Sequence, residues 1–344
     1  MKRIYIFLTT LFLINTVFCQ GVLKAKMKIY EDSINSKNYG MTGLFVNTKG
    51  TEKFAMGKSS INEKMTENKV FNIGSLTKTF TAVLILQEVE KGNLQLTDSL
   101  VTFFPKELCS NKNVNLDITI EELLRHRSGL GEVLIDSIVN KASSNPYFSY
   151  NYSFLFNNIP KPTSKQNTEF KYCNTNYILL GYILEVLNDK PYGEIVRERI
   201  FEPYTMSNSY SYYSRNIKNV AHPILKGNDL SESTFFKYYQ NYAFSAGGIS
   251  SNTDDLLRFF SALYNFKLIS KDSFEKMTTF GKEGYGMGMQ EFIFNKKKYI
   301  GHGGDNLSFK IRNFYNPKTK DIIILMANQY ADKYTMKIAK SVLN

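Results

Sequence analysis

The stretch Phe71–Phe80, "FNIGSLTKTF", places a hydroxyl and an amine three residues apart, Ser75 and Lys78, just before the run "TAVLILQEVEKG". That run is apolar on every face, which predicts a helix enclosed in a core and ending at Gly92. Gly74 permits a tight turn into it, and Lys78 then stands one helical turn above Ser75 on the same face. An amine in that position lies buried or in a cleft. Desolvation would lower its pKa, and a partly neutral amine can take a proton from a neighbouring hydroxyl. Ser75 also sits where the first N–H groups of the helix are unpaired, which suits a developing oxyanion. Serine three before lysine also arises by chance. Ser273 and Lys276 repeat the spacing in the polar segment "SKDSFEKMTTF", which reads as a solvated surface turn.

A serine–lysine pair needs a second acid or base, groups that hold the substrate, and a further oxyanion donor. "FKYCNTNYILLGY" offers Tyr172 and Asn174 in a loop before a second apolar helix. A phenol beside an ammonium can relay protons, and an amide can hold a substrate carbonyl. "YIGHGGDNLSF" offers His302 at the end of a strand, followed by Gly303 and Gly304, which let a substrate backbone lie along the strand edge. The N–H of Asp305 is then the expected partner of the Ser75 N–H. Tyr239-Gln240-Asn241 repeats the Tyr-x-Asn spacing, but no helix is expected after it.

The elements that must position these groups follow from periodicity. "GMTGLFVNTKGTEKFAMG" alternates around a turn and predicts a hairpin. "SNTDDLLRFFSALYN" predicts a helix capped by Asn252 or Thr253. Four strand patterns follow from Gly284 onward, and "ADKYTMKIAKSVLN" closes the chain as a helix. Ser143 to Lys171 reads as a long loop region. Strands at both ends with helices between them predict an α+β fold: an antiparallel sheet built from both chain ends, flanked by helices, with a largely helical insertion. The expected sheet regions are 20–99 and 245–344, and the mainly helical region is 100–244, all within one domain spanning 20–344.

Ser75-Leu76-Thr77-Lys78, Tyr172-Cys173-Asn174 and His302-Gly303-Gly304 resemble, in order and context, the three motifs of serine β-lactamase-like hydrolases. The likeness is to the branch holding class C β-lactamases, D-alanyl-D-alanine carboxypeptidases, D-aminopeptidases and esterases, and it covers nearly all of the chain after residue 19. "ITIEELLRHRSGL", "FSAGGISSNTDDLLRFFSAL" and "GYGMGM" look like further landmarks of that family. The resemblance implies a β-lactamase/transpeptidase-like fold, a Ser75 acyl-enzyme, Lys78 as base, Tyr172 as proton relay, and a substrate cleft lined by Asn174, His302, Gly303, Gly304 and Asp305. His126, by its place in the "RHRSGL" turn, is expected to be structural. The family's lactam-cleaving members have lysine where this chain has His302. A histidine titrating near 6.5 would give weak β-lactam turnover, with carboxylate substrates improving toward pH 6. Three readings remain open: a hydrolase of peptide, amide or ester bonds, a penicillin- or muropeptide-binding protein that acylates without turnover, and an envelope-binding protein with an inert site.

The chain has 344 residues with 43% apolar content, enough for a sizeable core. Residues 1–19 have a basic start and an apolar run of about a dozen residues, a secretory signal pattern too short to span a bilayer. Cleavage is expected before Gln20, with lipid attachment at Cys19 as the minor alternative, so the mature protein is expected to be secreted or periplasmic. Net charge is +12, falling to about +10 without Lys2 and Arg3. The lysines are scattered, so no nucleic-acid partner is expected, and the substrate is a small molecule or peptide. Three histidines far apart give no zinc pattern, and no cofactor is expected. Cys109 and Cys173 are more readily free than paired.

Overall fold

The computed structural model describes residues 21–104, 111–134, 140, 151–211, 217–306, 308–329 and 332–343. The elements that matter to the site are α1 (Val22–Lys28), β1 (Gly40–Asn47), β2 (Gly50–Gly57), α2 (Thr77–Glu90), α3 (Asn174–Asn188), α4 (Thr234–Gly247), α5 (Thr253–Tyr264), β3 (Gln290–Phe294), β4 (Lys297–Asp305), β5 (Lys310–Tyr315), β6 (Ile322–Ala327) and α6 (Tyr334–Leu343). Six strands form one antiparallel sheet in the order β2-β1-β6-β5-β4-β3. Both chain ends therefore supply the sheet, as the strand patterns predict.

Strand β6 explains why the sheet is covered on both faces. All six of its residues are buried. Ile323 and Leu325 point into a core with Leu23 and Met27 of α1 and Ile338 of α6. Ile324 and Met326, one step out of phase, point into the larger core with Phe80 of α2 and Phe259 of α5. A strand buried on both faces has to be continuously apolar, and "IIILMA" is. Helix α2 lies in the middle of the larger core, with Phe80 stacked on Phe259 at 3.6 Å between ring centroids. Burying such a ring is worth about 1.5–3 kcal/mol. The helix ends where expected, with Gly92 in the left-handed region at φ +76°.

Three expectations need correction. Ser273 lies in a short helix, Lys271–Met277, capped by Ser270, and is itself buried rather than in a solvated turn. The serine cap and the apolar pair Phe274 and Met277 turn one side of that segment inward. Tyr239-Gln240-Asn241 falls inside α4, whose aromatic residues recur at helical spacing. The region expected as loop holds a helix at Tyr152–Asn158, capped by Asn151. The α5 cap is Asn252, whose side chain accepts from the Asp255 N–H at 2.9 Å. The leader segment and Cys109 lie outside the described residues, and Cys173 is a free, buried thiol. Among the described residues no helix is long and apolar enough to cross a membrane.

One especially tight approach of the sheet to the helical layer lies at Gly304. A Cβ at Gly304 would lie 1.9 Å from the Ile73 carbonyl oxygen and 3.4 Å from the Leu76 nitrogen. Only glycine lets β4 come this close to the turn carrying Ser75. Gly304→Ala should therefore destabilise the fold by about 1–3 kcal/mol or more through overpacking, since main chain rather than a flexible side chain must yield. An unfolding free energy lowered by less than about 0.5 kcal/mol in denaturant titration would mean that strand and turn are not held together there.

Candidate active site

Ser75 stands in a single 3₁₀ turn, Gly74–Leu76, that leads into α2. Gly74 has φ +51°, a conformation glycine adopts without cost. Its N–H donates to Asn72 Oδ1 at 3.1 Å, and Asn306, just after β4, donates from its amide to the same Asn72 side chain. The short strand Phe71–Asn72 pairs with Ser250–Ser251. The turn is thus tied to the sheet on one side and to the segment after α4 on the other.

Lys78 is fully buried, and its Nζ has three partners: Ser75 Oγ at 3.1 Å, Asn174 Oδ1 at 2.7 Å and the Ala246 carbonyl at 2.8 Å. Two of these can only accept a hydrogen bond, while the serine hydroxyl can donate or accept. A neutral amine has two N–H donors and one lone pair. In that form its N–H groups can go to the two obligate acceptors, Asn174 Oδ1 and the Ala246 carbonyl, which leaves the lone pair for the Ser75 proton. Burial lowers the Lys78 pKa from 10.5 to about 7, opposed by the nearby Glu132 carboxylate and the Cys173 thiol. The arrangement can therefore move the Ser75 proton to Lys78 near neutral pH.

The Asn174 amide is oriented by Glu132, which the sequence reading missed. Glu132 Oε2 accepts from Asn174 Nδ2 at 2.9 Å and from the Asn174 main-chain N–H at 2.7 Å, so Oδ1 faces the lysine. Ala246 was also missed, because its contribution is main chain. Phe244, at φ 42° and ψ −132°, breaks α4 two residues earlier, an unfavourable conformation for a bulky residue. The break aims the Ala246 carbonyl at Lys78 and the Ser245 carbonyl at Thr81 Oγ1, 2.7 Å away.

Tyr172 is 38% exposed, and its ring centroid lies 4.9 Å from Lys78 Nζ and 4.3 Å from the His126 ring. The structure thus brings Tyr172 to the lysine through the ring face. The Asp305 main chain runs beside the serine turn, 3.2–3.4 Å from where a Gly74 Cβ would stand. The Asp305 side chain turns away and takes Arg312 in a bidentate pair at 2.6 and 3.0 Å. Arg312 sits opposite Gly303 in the β4–β5 register, with one guanidinium nitrogen 3.0 Å from where a Gly303 Cβ would be. It is a permanent cation at this edge that the sequence alone did not reveal.

His302 departs from expectation. Its ring is buried at 2% exposure, and desolvation lowers its pKa to about 3, with the positive charges of Lys78 and Arg312 acting in the same direction. The ring does not offer a cation to a substrate near pH 6, so the expected gain in carboxylate binding toward that pH does not follow. His126 is fully buried, as a structural residue should be, with burial holding its pKa well below the usual value.

Residues 38–340 match the family model described as Beta-lactamase. The chain belongs to this family, that of the β-lactamase-like serine hydrolases. Penicillin-binding protein 4* of Bacillus subtilis is 28% identical over 237 residues, covering 64% of this chain and 51% of that protein. The chain thus spans about half the length of such a curated relative. Among solved structures, a D-stereospecific amidohydrolase from Streptomyces sp. has a TM-score of 0.80 at 20% identity, covering 92% of this chain and 97% of that one. A D-amino acid amidase from Ochrobactrum anthropi SV3, complexed with D-phenylalanine, has a TM-score of 0.77 at 20% identity, covering 94% and 98%. At that identity these establish the β-lactamase/transpeptidase-like fold and no more.

The lysine can be tested without reference to turnover. Its side-chain resonance in carbon-13-labelled protein should titrate near pH 7. In Glu132→Gln the midpoint should move lower still, because the carboxylate that favours the ammonium is gone. A midpoint near the ordinary lysine value would show that Nζ is solvated.

Proposed function

We propose that the protein is a serine hydrolase that forms an acyl-enzyme at Ser75 and cleaves amide, peptide or ester bonds. The observation that carries this reading is the buried Lys78 Nζ, 3.1 Å from Ser75 Oγ, whose other two partners are acceptors that can take both N–H groups of a neutral amine and leave its lone pair for the serine proton. Lys78 takes the proton as Ser75 attacks the substrate carbonyl. The N–H groups of Ser75 and Asp305 receive the oxyanion, and Tyr172, over the lysine, passes the proton to the leaving group. Asn174 and the Gly303–Gly304 edge of β4 hold the substrate. The amidase and amidohydrolase folds make amides of D-amino acids, and small cell-wall peptides built from them, the substrate class to try first. A neutral His302 and an Arg312 already paired with Asp305 favour uncharged esters and amides over β-lactams. The name of the Bacillus subtilis relative supports a second reading, acylation by penicillin with little turnover. The leader-like residues 1–19 support a site of action outside the cytoplasm, which amino-terminal sequencing of the mature protein would test.

A fluorophosphonate probe should label the protein once, and Ser75→Ala should abolish the label while leaving the circular dichroism unchanged. Ser273→Ala should label as the parent does. Stoichiometric labelling of the Ser75 variant would remove it as nucleophile. With a chromogenic ester, a burst followed by steady turnover supports the hydrolase, whereas a burst alone supports the binding protein.

The pH dependence has a definite sign. The neutral amine is the active base, so kcat/KM should rise with pH through about 7 and level off above it. At one pH unit below the midpoint the rate should be about a tenth of the plateau. Lys78→Arg, a cation that does not deprotonate, should lose about 100-fold or more. A flat profile between pH 5 and 9 would exclude an amine base.

A further inference from the structure

The second and third motifs are joined by a buried chain of side chains in which the tautomers of both histidines can be assigned. The Cys173 main-chain N–H donates to His126 Nδ1 at 3.2 Å, and the Asn176 amide approaches the same nitrogen at 3.2 Å. An N–H can only donate, so Nδ1 carries no proton, and in a neutral ring the proton is on Nε2. His126 Nε2–H faces Tyr285 Oη at 3.2 Å, and Tyr285 Oη lies 3.1 Å from His302 Nε2. His302 Nδ1 is 2.5 Å from the Gly303 carbonyl oxygen, which can only accept, so there the proton is on Nδ1 and Nε2 must accept. The Tyr285 hydroxyl therefore receives from His126, and His302 Nε2 is an acceptor for its proton. Tyr177, the other phenol against Tyr285, spends its own proton on the Leu124 carbonyl at 2.8 Å, so its oxygen is a second acceptor for the Tyr285 proton, a contact that works to raise the Tyr285 pKa and to lower that of Tyr177. All three side chains are buried, so water does not replace any of these partners.

We propose that His126, Tyr285 and His302 act as a single positioning relay that fixes the Tyr172–Asn174 loop and the Gly303–Asp305 strand relative to each other, with the two histidines locked in opposite tautomers. His126 grips the loop twice: its carbonyl accepts from the Lys171 N–H at 2.8 Å, and its ring accepts from the Cys173 N–H. Tyr172 and Asn174 flank Cys173 and stand against Lys78. At the other end His302 holds the Gly303 carbonyl, one residue before the glycine on which β4 meets the serine turn. The Tyr285 hydroxyl, within hydrogen-bond distance of both rings, sets the distance between loop and strand. None of the three side chains touches the reacting atoms. Each acts through the main chain of a motif.

The proposal rests on the hydrolase reading for its effect on rate but not for its structural content, and the test separates the two. The full chain has only three histidines, so nitrogen-15 spectra of the imidazoles can be assigned with His222→Gln and one further variant. His126 should show the Nε2–H form and His302 the Nδ1–H form, each as a single tautomer. Tyr285→Phe keeps the ring but removes both hydrogen bonds. It should leave both tautomers in place, because each Nδ1 keeps its main-chain partner, but shift the Nε2 resonances of both rings and lower the acylation rate by about tenfold or more, with little change in KM for a small ester. Matching tautomers in the wild type, or a Tyr285→Phe protein that acylates at the parent rate, would overturn the relay. If the tautomers are opposite but the protein neither labels nor turns over, the hydrolase reading fails and the structural relay stands.

Discussion

The arrangement depends on keeping one lysine amine dry. A shift from 10.5 to about 7 corresponds to about 5 kcal/mol of preference for the neutral form relative to water. That preference needs the whole helical layer. Helix α2 must be apolar on every side to be enclosed, the Phe244 break must deliver a carbonyl, and Asn174 must be held by Glu132 with its oxygen turned inward. A looser site would admit water and restore an ordinary ammonium, which holds its proton too tightly to act as a base at neutral pH.

The same burial works against stability. The folded-state pKa is depressed, so the native state resists the proton that the unfolded chain accepts readily. As pH falls from about 10 toward 7, the unfolded state gains protonation that the native state does not, so this contribution destabilises the fold increasingly down to about pH 7 and stays at its full value below that. The apolar content of β6 and α2, with the stacked Phe80–Phe259 pair, offsets that cost. Stability is spent where the chemistry is placed.

The sheet and the helices contribute different parts of the site. The serine turn is fastened to β4 by Gly304 and by the Asn72–Asn306 amide contact. The loop before α3 is fastened to β4 through buried side chains from the His126 turn and Tyr285. Main-chain contact is used where the two layers touch, and a hydrogen-bonded chain of rings spans the place where they do not.

Ser75, Lys78, Tyr172 and Asn174 were legible in the sequence because local pattern carries them. A glycine turn before an all-apolar run fixes the serine–lysine geometry, since one helical turn brings residues three apart together. The strand patterns gave the sheet for the same reason, because a period of two is a local property. What stayed hidden were the groups defined by distance across the fold. Glu132 is an ordinary glutamate until Asn174 comes to it, and Ala246 acts through a carbonyl that any residue would have. Arg312 matters only because the β4–β5 register sets it opposite Gly303. His302 shows the limit most clearly. Its residue type suggests a charge near neutral pH, and only the tertiary structure, by removing water and placing Tyr285 and the Gly303 carbonyl at its two nitrogens, makes it a neutral ring with its single proton already committed.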